Sequence, residues 1–237
     1  MQKTNCMLFS NSISALPGNI SLNNNLIELV DSTKFPGLII DNKLSWREHI
    51  ANQSKLLSRN VGIINKLKSM FPSDVLLNLY STLVLSYLNY GILAWGNSSR
   101  TNLDKLLLVQ KRAIRIICHK SRLTHTDQLF HTNKVLKVYD LYDLRLGCFM
   151  YQLNSNELPH ALSMLFSRNE NFHSYPTRQS SGYHLPMLRT LYKQKTLIYT
   201  GPVLWNSLNE SLKHSPSLVS FKYNLKSTLI NNYTNSR

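Results

Sequence analysis

The sequence predicts a mainly α protein with a small N-terminal β-sheet, an α+β arrangement in which a helical bundle precedes a second, mostly helical domain. Two observations support this prediction. Apolar residues form short runs between turn residues at the start of the chain, whereas from Ser45 onward they recur at helical spacing. The chain has 237 residues, of which 43% are hydrophobic, so it can bury a substantial core.

Three apolar runs predict strands in residues 1–44, because each run is short and is followed by turn-forming residues. The runs cover residues 6–9, 26–30 and 35–40. Three asparagines at positions 23–25 predict a turn before the second run. Pro36 and Gly37 interrupt the third run, which predicts a bend or an edge position there.

The first helix is predicted to begin at Ser45, because Glu48 follows at the spacing of a capping box. Pro72 disfavours helix in the residue before it and therefore ends this segment. One face of the helix is apolar over several turns. The residues of that face are Trp46, Ile50, Leu57, Val61 and Ile64.

Two more helices complete a three-helix unit over residues 45–120. The second covers about residues 75–89 and is apolar on most sides, which predicts a buried helix. The third begins at Thr101 and ends near Cys118, with apolar residues on one face and basic residues on another.

Residues 121–237 predict a C-terminal, mostly helical domain. A loop is predicted over residues 169–183 and a strand over residues 183–188. Gly201 and Pro202 predict a turn. The predicted helices cover residues 139–153, residues 158–166 and a last segment in which Ser215 is the cap and Pro216 the first helical residue.

The net charge is strongly positive, because 27 Lys+Arg face 12 Asp+Glu, which gives +15. An apolar content of 43% excludes a disordered polybasic tail. A folded chain with this excess of positive charge either binds a polyanion or is poorly soluble alone. The alternative is that the charge serves solubility in general and no specific partner.

Three widely spaced cysteines predict reduced thiols, hence an intracellular protein of the nucleus or cytoplasm. The longest apolar stretch, residues 75–88, is too short and polar to span a membrane.

Two rows of basic residues are predicted opposite the apolar helix faces. Such rows suit contacts to phosphate groups, which position a nucleic acid without reading its sequence. A solvated helix face is the alternative. The candidate nucleic-acid-binding residues are Lys55, Arg59 and Lys66 in the first helix, and Lys105, Lys111, Arg112 and Arg115 in the third.

A zinc site was considered at Cys118, His119, His125 and His131. A structural zinc site needs four ligands with paired short spacings, and the chain has no Cys-x-x-Cys pair, so the pattern argues against such a site. The sequence also contains no Gly-x-Ser-x-Gly and no glycine-rich phosphate loop. We therefore predict neither a metal site nor a catalytic residue.

Aromatic and arginine side chains in other places have structural alternatives. Trp46, Trp95 and Trp205 could stack on bases, but each lies on an apolar face or beside a turn, which favours core packing. Arg178 and Arg189 each adjoin a threonine and could hold either a phosphate or a backbone carbonyl.

Several motifs together resemble a known family. They are FPGLIIDNKLSW at residues 35–46, YLNYG at 87–91, QKRAIRII at 110–117 and GPVLWN at 201–206. In this order and spacing they resemble the region from the edge of the palm to the C-terminus in non-LTR retrotransposon reverse transcriptases of the jockey-like type. The resemblance covers essentially the whole chain.

The resemblance implies a role in copying RNA into DNA. These enzymes use two metal-bound aspartates in a Tyr/Phe-x-Asp-Asp motif, whereas the seven aspartates of this chain include no Asp-Asp pair. We therefore expect a truncated polymerase that starts after the catalytic aspartates and does not polymerise alone. It needs no cofactor of its own, because magnesium would belong to the missing catalytic palm.

The resemblance also implies a role for each region. Residues 1–44 resemble the palm edge and primer grip, with Phe35 and Gly37 in the grip, and residues 45–120 resemble the thumb. The implied partners are RNA and the RNA–DNA template–primer duplex, with no small-molecule substrate. Two alternatives remain: a repurposed helical adaptor that binds protein, and a nonfunctional relic of a decayed element.

Overall fold

The computed structural model describes residues 4–9, 20–22, 25–171 and 182–234. Within these residues the protein is mainly helical with a few short strands, so the predicted fold class is confirmed. The strands are β1 (Asn5–Cys6), β2 (Ser21–Leu22), β3 (Asn25–Leu26), β4 (Glu28–Leu29), β5 (Ser32–Phe35) and β6 (Leu38–Asp41).

The described strands form three separate two-stranded sheets, where the sequence predicted one small sheet. β1 pairs in parallel with β4, while β2–β3 and β5–β6 are antiparallel. The longest pair joins Ser32 to Asp41 and Phe35 to Leu38, so that Pro36 and Gly37 form a two-residue turn. Gly37 has φ of 85°, a backbone conformation that glycine adopts without strain. The predicted bend at Pro36 is therefore a hairpin turn.

The helices before residue 120 are α1 (Arg47–Leu67), α2 (Ser73–Tyr80), α3 (Ser86–Asn89), α4 (Ile92–Trp95) and α5 (Arg100–Ile117). A π-helical turn, Ser81–Leu85, joins α2 to α3 without a break, which agrees with the single helix predicted there. Hydroxyl groups favour this irregular turn by competing for backbone carbonyls: Ser81 donates to Leu77, and Thr82 donates to Asn78.

The predicted capping box at the start of α1 is half formed. Trp46 precedes the helix in a left-handed conformation with φ of 60°, and the hydroxyl oxygen of Ser45 accepts from the backbone N–H of Arg47 at 3.3 Å, whereas no hydrogen bond from Glu48 to this helix end is found among the described residues. The carboxylate of Asp41 stabilises the turn before the helix, because it accepts from the backbone N–H groups of Lys43, Ser45 and Trp46 at 3.1, 2.9 and 2.8 Å. Asp41 therefore ties the end of the β5–β6 hairpin to the start of α1.

Helices α1 and α5 pack against each other and run in the same direction. At their starts, the Ser98 hydroxyl donates to the carbonyl of Ser45 at 3.0 Å. At their ends, the Ser73 hydroxyl donates to the carbonyl of Ile117 at 2.9 Å. The segment α2 to α4 therefore returns the chain to the beginning of the pair.

The remaining helices are α6 (Asp127–Thr132), α7 (Val138–Asn154), α8 (His160–Ser163), α9 (Leu191–Gln194), α10 (Leu197–Ser207), α11 (Glu210–Lys213) and α12 (Leu218–Asn231), with a 3₁₀ turn at Asn169–Asn171. α7 packs against α10 and α12 and also contacts α3, α4 and α5. The buried apolar residues of both halves form one cluster around it. The division into three regions remains a prediction.

Three local predictions in the second half are wrong. Gly201 and Pro202 lie inside α10 and not in a turn. Gly201 packs closely on Met150, whose sulfur would be 2.6 Å from a Cβ added to the glycine. The strand predicted over residues 183–188 is reduced to an isolated bridge between Arg168 and Tyr183. The last helix begins at Leu218, where the side chain of Ser217 accepts from the N–H of Ser220 at 3.2 Å.

Candidate nucleic-acid interface

The first basic row lies on the exposed face of α1. Lys55, Arg59 and Lys66 are exposed, while the opposite face is buried through residues such as Leu57 and Ile64. This placement agrees with the predicted amphipathic pattern. The binding role of these three cations remains a prediction.

Gly62 lies in the same row, and a Cβ added there would meet no atom within 4 Å. We expect Gly62→Ala to raise the free energy of unfolding by about 0.5–1 kcal/mol, because alanine loses less backbone entropy in a helix. Urea unfolding followed by circular dichroism measures this change. Gly147→Ala is the matched control with the opposite expected sign, since its Cβ would lie 2.5 Å from Leu225. A loss of stability in both variants would contradict the assigned surroundings of Gly62.

The second basic row lies on the outer face of α5. Lys105 and Arg112 are exposed, and Lys111 and Arg115 are half-buried. Leu108 lies within this row with 66% of its surface exposed. The row therefore combines cations with one apolar side chain on a helix whose other face is in the core.

A basic groove of about 630 Å³ runs between α1 and α5 near their C-terminal ends. Of the residues that the structure describes, four cationic side chains and no carboxylate line it. Asn65 belongs to the wall formed by α1, and Arg112 and Arg115 of the second basic row line the wall formed by α5. The residues that line the basic groove are Asn65, Leu108, Arg112, Arg115, Ile116, Lys120 and Arg122.

The loop after α5 completes the basic groove. The Nε of Arg115 donates to the carbonyl of Thr124 at 2.8 Å, which holds the loop against the helix. His119 turns the chain with φ of 51°. Lys120 and Arg122 are thereby brought to the groove. The sequence pattern did not identify Arg122, because helical spacing does not report on a loop.

None of the seven predicted binding residues forms an ion pair within the part of the chain that the structure describes. The salt bridges found there join Lys137 to Asp127, and Lys213 and His214 to Glu210. The positive charge of the two rows and of the basic groove is therefore not neutralised by neighbouring carboxylates. Such a surface attracts a polyanion and is sensitive to salt.

The turn of the β5–β6 hairpin docks on the segment between α3 and α4. The Tyr90 hydroxyl donates to the carbonyl of Pro36. A Cβ at Gly37 would lie 2.9 Å from the Tyr90 ring, and a Cβ at Gly91 would lie 2.9 Å from Leu38. The close approach explains why glycine, which has no side chain, stands at both positions. Phe35, beside the turn, has 66% of its surface exposed.

A buried histidine holds the hairpin from the other side. The Nδ1 of His49 accepts from the backbone N–H of Ile39 at 3.3 Å. Its ring lies 6.2 Å from the ring of Trp46 and 5.7 Å from that of Trp95. Nε2 of His49 is buried without a hydrogen-bond partner. The imidazole must be neutral to accept at Nδ1, and burial lowers the pKa of His49 below its ordinary value.

We expect the free energy of unfolding to fall as the pH drops below about 6.5. The unfolded state then binds a proton at His49, whereas the folded state, whose pKa is lower, binds it only at a lower pH. Urea unfolding at pH 7.5 and pH 5 measures the change. His49→Gln removes the titrating group but keeps an acceptor. An equal loss of stability in the variant would show that other groups cause the pH dependence.

The tryptophans are packed in the core, as the sequence favoured. Trp95 has no exposed surface and Trp205 has 2%. The Nε1 of Trp95 donates to the carbonyl of Tyr90 at 2.9 Å. Trp46 packs against the core. Burial of Trp95 and Trp205 excludes base stacking by these two residues.

The other candidate side chains are dispersed. Cys118 accepts from the side chain of Asn133 at 3.2 Å. Among residues 4–9, 20–22, 25–171 and 182–234, no three His, Cys, Asp or Glu side chains are placed to hold a metal ion. Arg189 is exposed, and Arg178 lies outside the described residues.

Two carboxylates lie one turn apart on α7. Asp140 accepts from the hydroxyl of Tyr233. Burial raises the pKa of Asp143 to about 6, with a further contribution from the charge of Asp140. Asp140 thus serves the packing between α7 and the end of α12.

No helix among the described residues is long and apolar enough to cross a membrane.

Comparison with known proteins finds two RNA-directed DNA polymerases of similar sequence. The chain is 26% identical over 149 residues to the RNA-directed DNA polymerase from mobile element jockey of Drosophila melanogaster, a match that covers 62% of this chain and 16% of that protein. It is 25% identical over 181 residues to the protein of the same name from Drosophila funebris, which covers 74% and 20%. The predicted resemblance to jockey-like reverse transcriptases is confirmed.

The chain spans a fifth or less of the length of these curated relatives. No family model matches it. No solved structure matches it either.

Proposed function

We propose that this chain is the part of a jockey-like RNA-directed DNA polymerase that holds the RNA–DNA template–primer duplex, and that it lacks the catalytic aspartates. The basic groove between α1 and α5 is the observation on which the proposal rests. Its four cations have no carboxylate among them. Phosphate contacts from such a surface supply affinity and register without sequence recognition.

Each structural region has a role in this proposal. The α1–α5 pair acts as the thumb, with Lys55, Arg59 and the basic groove against the phosphate backbone. The β5–β6 hairpin acts as the primer grip, because Phe35 is exposed at a turn that Tyr90 and Gly91 hold in place. These assignments rest on the confirmed similarity and on the exposed positions of the side chains.

Catalysis belongs to residues that this chain does not contain. A two-metal phosphoryl transfer needs carboxylates clustered around both ions. The seven aspartates of the sequence include no adjacent pair. Magnesium would bind to the palm of a complete polymerase, and the present chain would contribute only positioning. The compartment that this role requires is one that holds the RNA template, the nucleus or the cytoplasm.

Titration of a fluorescent RNA–DNA duplex with the purified chain tests the binding proposal. Two salt concentrations, about 50 and 200 mM, separate electrostatic from apolar binding. A protein that makes about six phosphate contacts loses roughly a thousandfold in affinity over this range. Absence of duplex binding at the lower salt concentration would contradict the proposal.

A primer-extension assay tests the absence of catalysis. The purified chain is incubated with template–primer, nucleotides and magnesium, and a complete reverse transcriptase is the positive control. We expect no extension, because no carboxylate pair is available for the two ions. Extension above the level of a heat-denatured sample would contradict the proposal.

A protein-binding adaptor is a second candidate, favoured by apolar side chains exposed around α9. Met187 has 99% of its surface exposed and Leu191 has 79%. An adaptor would bind its partner with little dependence on salt and would have no affinity for the duplex. A relic that folds poorly would instead show no cooperative transition in a thermal melt.

A further inference from the structure

Three lysines on the C-terminal half form a second basic surface that the proposed function does not use. Lys222 and Lys226 lie one turn apart on α12, and Lys134 is the second residue after α6. Lys134 and Lys222 are exposed, and Lys226 is half-buried. We call these three residues the lysine triad.

The loop that carries Lys134 is held against the end of α12. The backbone N–H of Lys137 donates to the hydroxyl of Tyr233 at 3.0 Å, and the Lys137 ammonium lies 4.2 Å from the Tyr233 ring centre. α6 also packs against α12. The members of the triad are close enough to affect one another, because burial and then the charges of Lys222 and Lys134 lower the pKa of Lys226.

The lysine triad has no neutralising partner among the described residues. Lys137, in the same loop, is paired with Asp127 at 3.0 Å. Within the described part of the chain, no ion pair involves Lys134, Lys222 or Lys226. Holding three like charges together costs free energy, and an anion bound across them would offset that cost.

One hydrogen bond connects the segment that carries Lys134 to the end of α5. The groove ends at the loop after α5, where Lys120 lies two residues beyond Cys118. The side chain of Asn133 donates to the sulfur of Cys118 at 3.2 Å, so Lys134 is next to the residue that touches the end of α5. Lys120 and Lys134 thus each lie within two residues of the hydrogen bond between Asn133 and Cys118.

We infer that the lysine triad binds the phosphate backbone of a nucleic-acid strand that extends past the basic groove. This inference rests on the proposed function. The members of the triad are not among the residues that line the groove. A single-stranded extension is flexible enough to follow the surface from α5 to α12.

The variant Lys222→Gln/Lys226→Gln tests this inference against the matched control Lys193→Gln/Lys195→Gln. Both pairs remove two positive charges from the C-terminal half, and Lys193 and Lys195 are exposed. Each protein is titrated with a blunt RNA–DNA duplex and with the same duplex carrying a single-stranded extension of about ten nucleotides. Thermal melts establish that each variant is folded.

We expect the extension to strengthen binding by the wild-type chain and by the control variant, but not by the triad variant. The slope of log affinity against log salt for the extended duplex should be smaller by about 1–2 in the triad variant, since each phosphate contact contributes roughly 0.7–0.9. Adding Lys134→Gln to the triad variant should reduce this slope by a further fraction of that amount. For the blunt duplex all the chains should bind alike.

Two outcomes separate this inference from the proposed function. If the triad variant keeps the gain from the extension, the lysine triad is not a strand-binding site, while binding of the blunt duplex still supports the groove. If the blunt duplex is not bound but a free single strand is bound through the triad, the proposed function fails and the triad site stands. Binding of the triad to anionic lipid vesicles with no effect of RNA would overturn the inference.

Discussion

The variant Arg112→Glu/Lys120→Glu is expected to bind an RNA–DNA duplex about 100-fold more weakly than the wild-type chain at roughly 0.1 M salt, a difference of about 2.7 kcal/mol. Both side chains line the basic groove and are exposed, without an ion pair in the described structure. Glutamate at these positions replaces attraction to phosphate by repulsion. Fluorescence anisotropy with a labelled duplex measures the loss.

The variant Lys193→Glu/Lys195→Glu is the control for net charge. It changes the charge by the same amount at exposed positions on and directly after α9. We expect a small loss of duplex affinity in this control. Electrostatic attraction acts at a distance, but salt screens the charges that lie far from the bound duplex. Equal losses in the two variants would show that net charge alone, and not the basic groove, determines binding. Arg115 is left unchanged because it holds the loop at Thr124.

Trp95→Ala is expected to lower the free energy of unfolding by about 3–5 kcal/mol, the range observed for removal of a large buried aromatic side chain. Trp95 has no exposed surface, and its indole N–H donates to the carbonyl of Tyr90. Its ring also contacts His49, which holds the β5–β6 hairpin. The substitution therefore opens a cavity and weakens the support of the hairpin. Urea unfolding measures the change.

Val219→Ala serves as the control, because Val219 has 79% of its surface exposed on α12 and its truncation should change stability by about 0.5 kcal/mol or less. Trp95→Phe separates the cavity from the hydrogen bond, since it keeps much of the apolar volume but removes the donor to Tyr90. A loss below 1 kcal/mol for Trp95→Ala would contradict the central position of this residue.

The long amphipathic helices could be predicted closely from the sequence. The predicted helix over residues 139–153 is Val138–Asn154, and the third predicted helix, from Thr101, is Arg100–Ile117. The apolar period of a helix reports directly which face is buried. The faces of α1 and α5 were therefore identified together with the basic residues opposite them.

Helix ends and tight contacts could not be predicted in the same way. Ser45 and Glu48 have the spacing of a capping box, but only Ser45 bonds the helix end, and Asp41 holds the turn at Trp46 before it. Gly201 and Pro202 have the composition of a turn, but they lie in a helix that packs on Met150. In each case a contact within the fold outweighs the local preference.

The fully buried Gln110 shows why part of a motif can be structural. It lies in the motif QKRAIRII, where the adjacent basic residues suggested nucleic-acid contact. Its side-chain amide donates to the hydroxyl of Tyr80 at 2.9 Å and to the carbonyl of Leu136 at 3.1 Å. The same motif thus supplies both a buried link to the C-terminal half and the exposed cations of α5.

Composition, periodicity and motif order are properties of the chain. They suffice to predict the charge of this protein, the faces of its long helices and its similarity to jockey-like reverse transcriptases. Only the folded chain shows that α1 and α5 run in the same direction with a basic groove between them, that Arg122 reaches this groove, and that the hairpin turn docks on Tyr90 and Gly91. These features depend on packing between residues distant in sequence, and no local pattern reports such contacts.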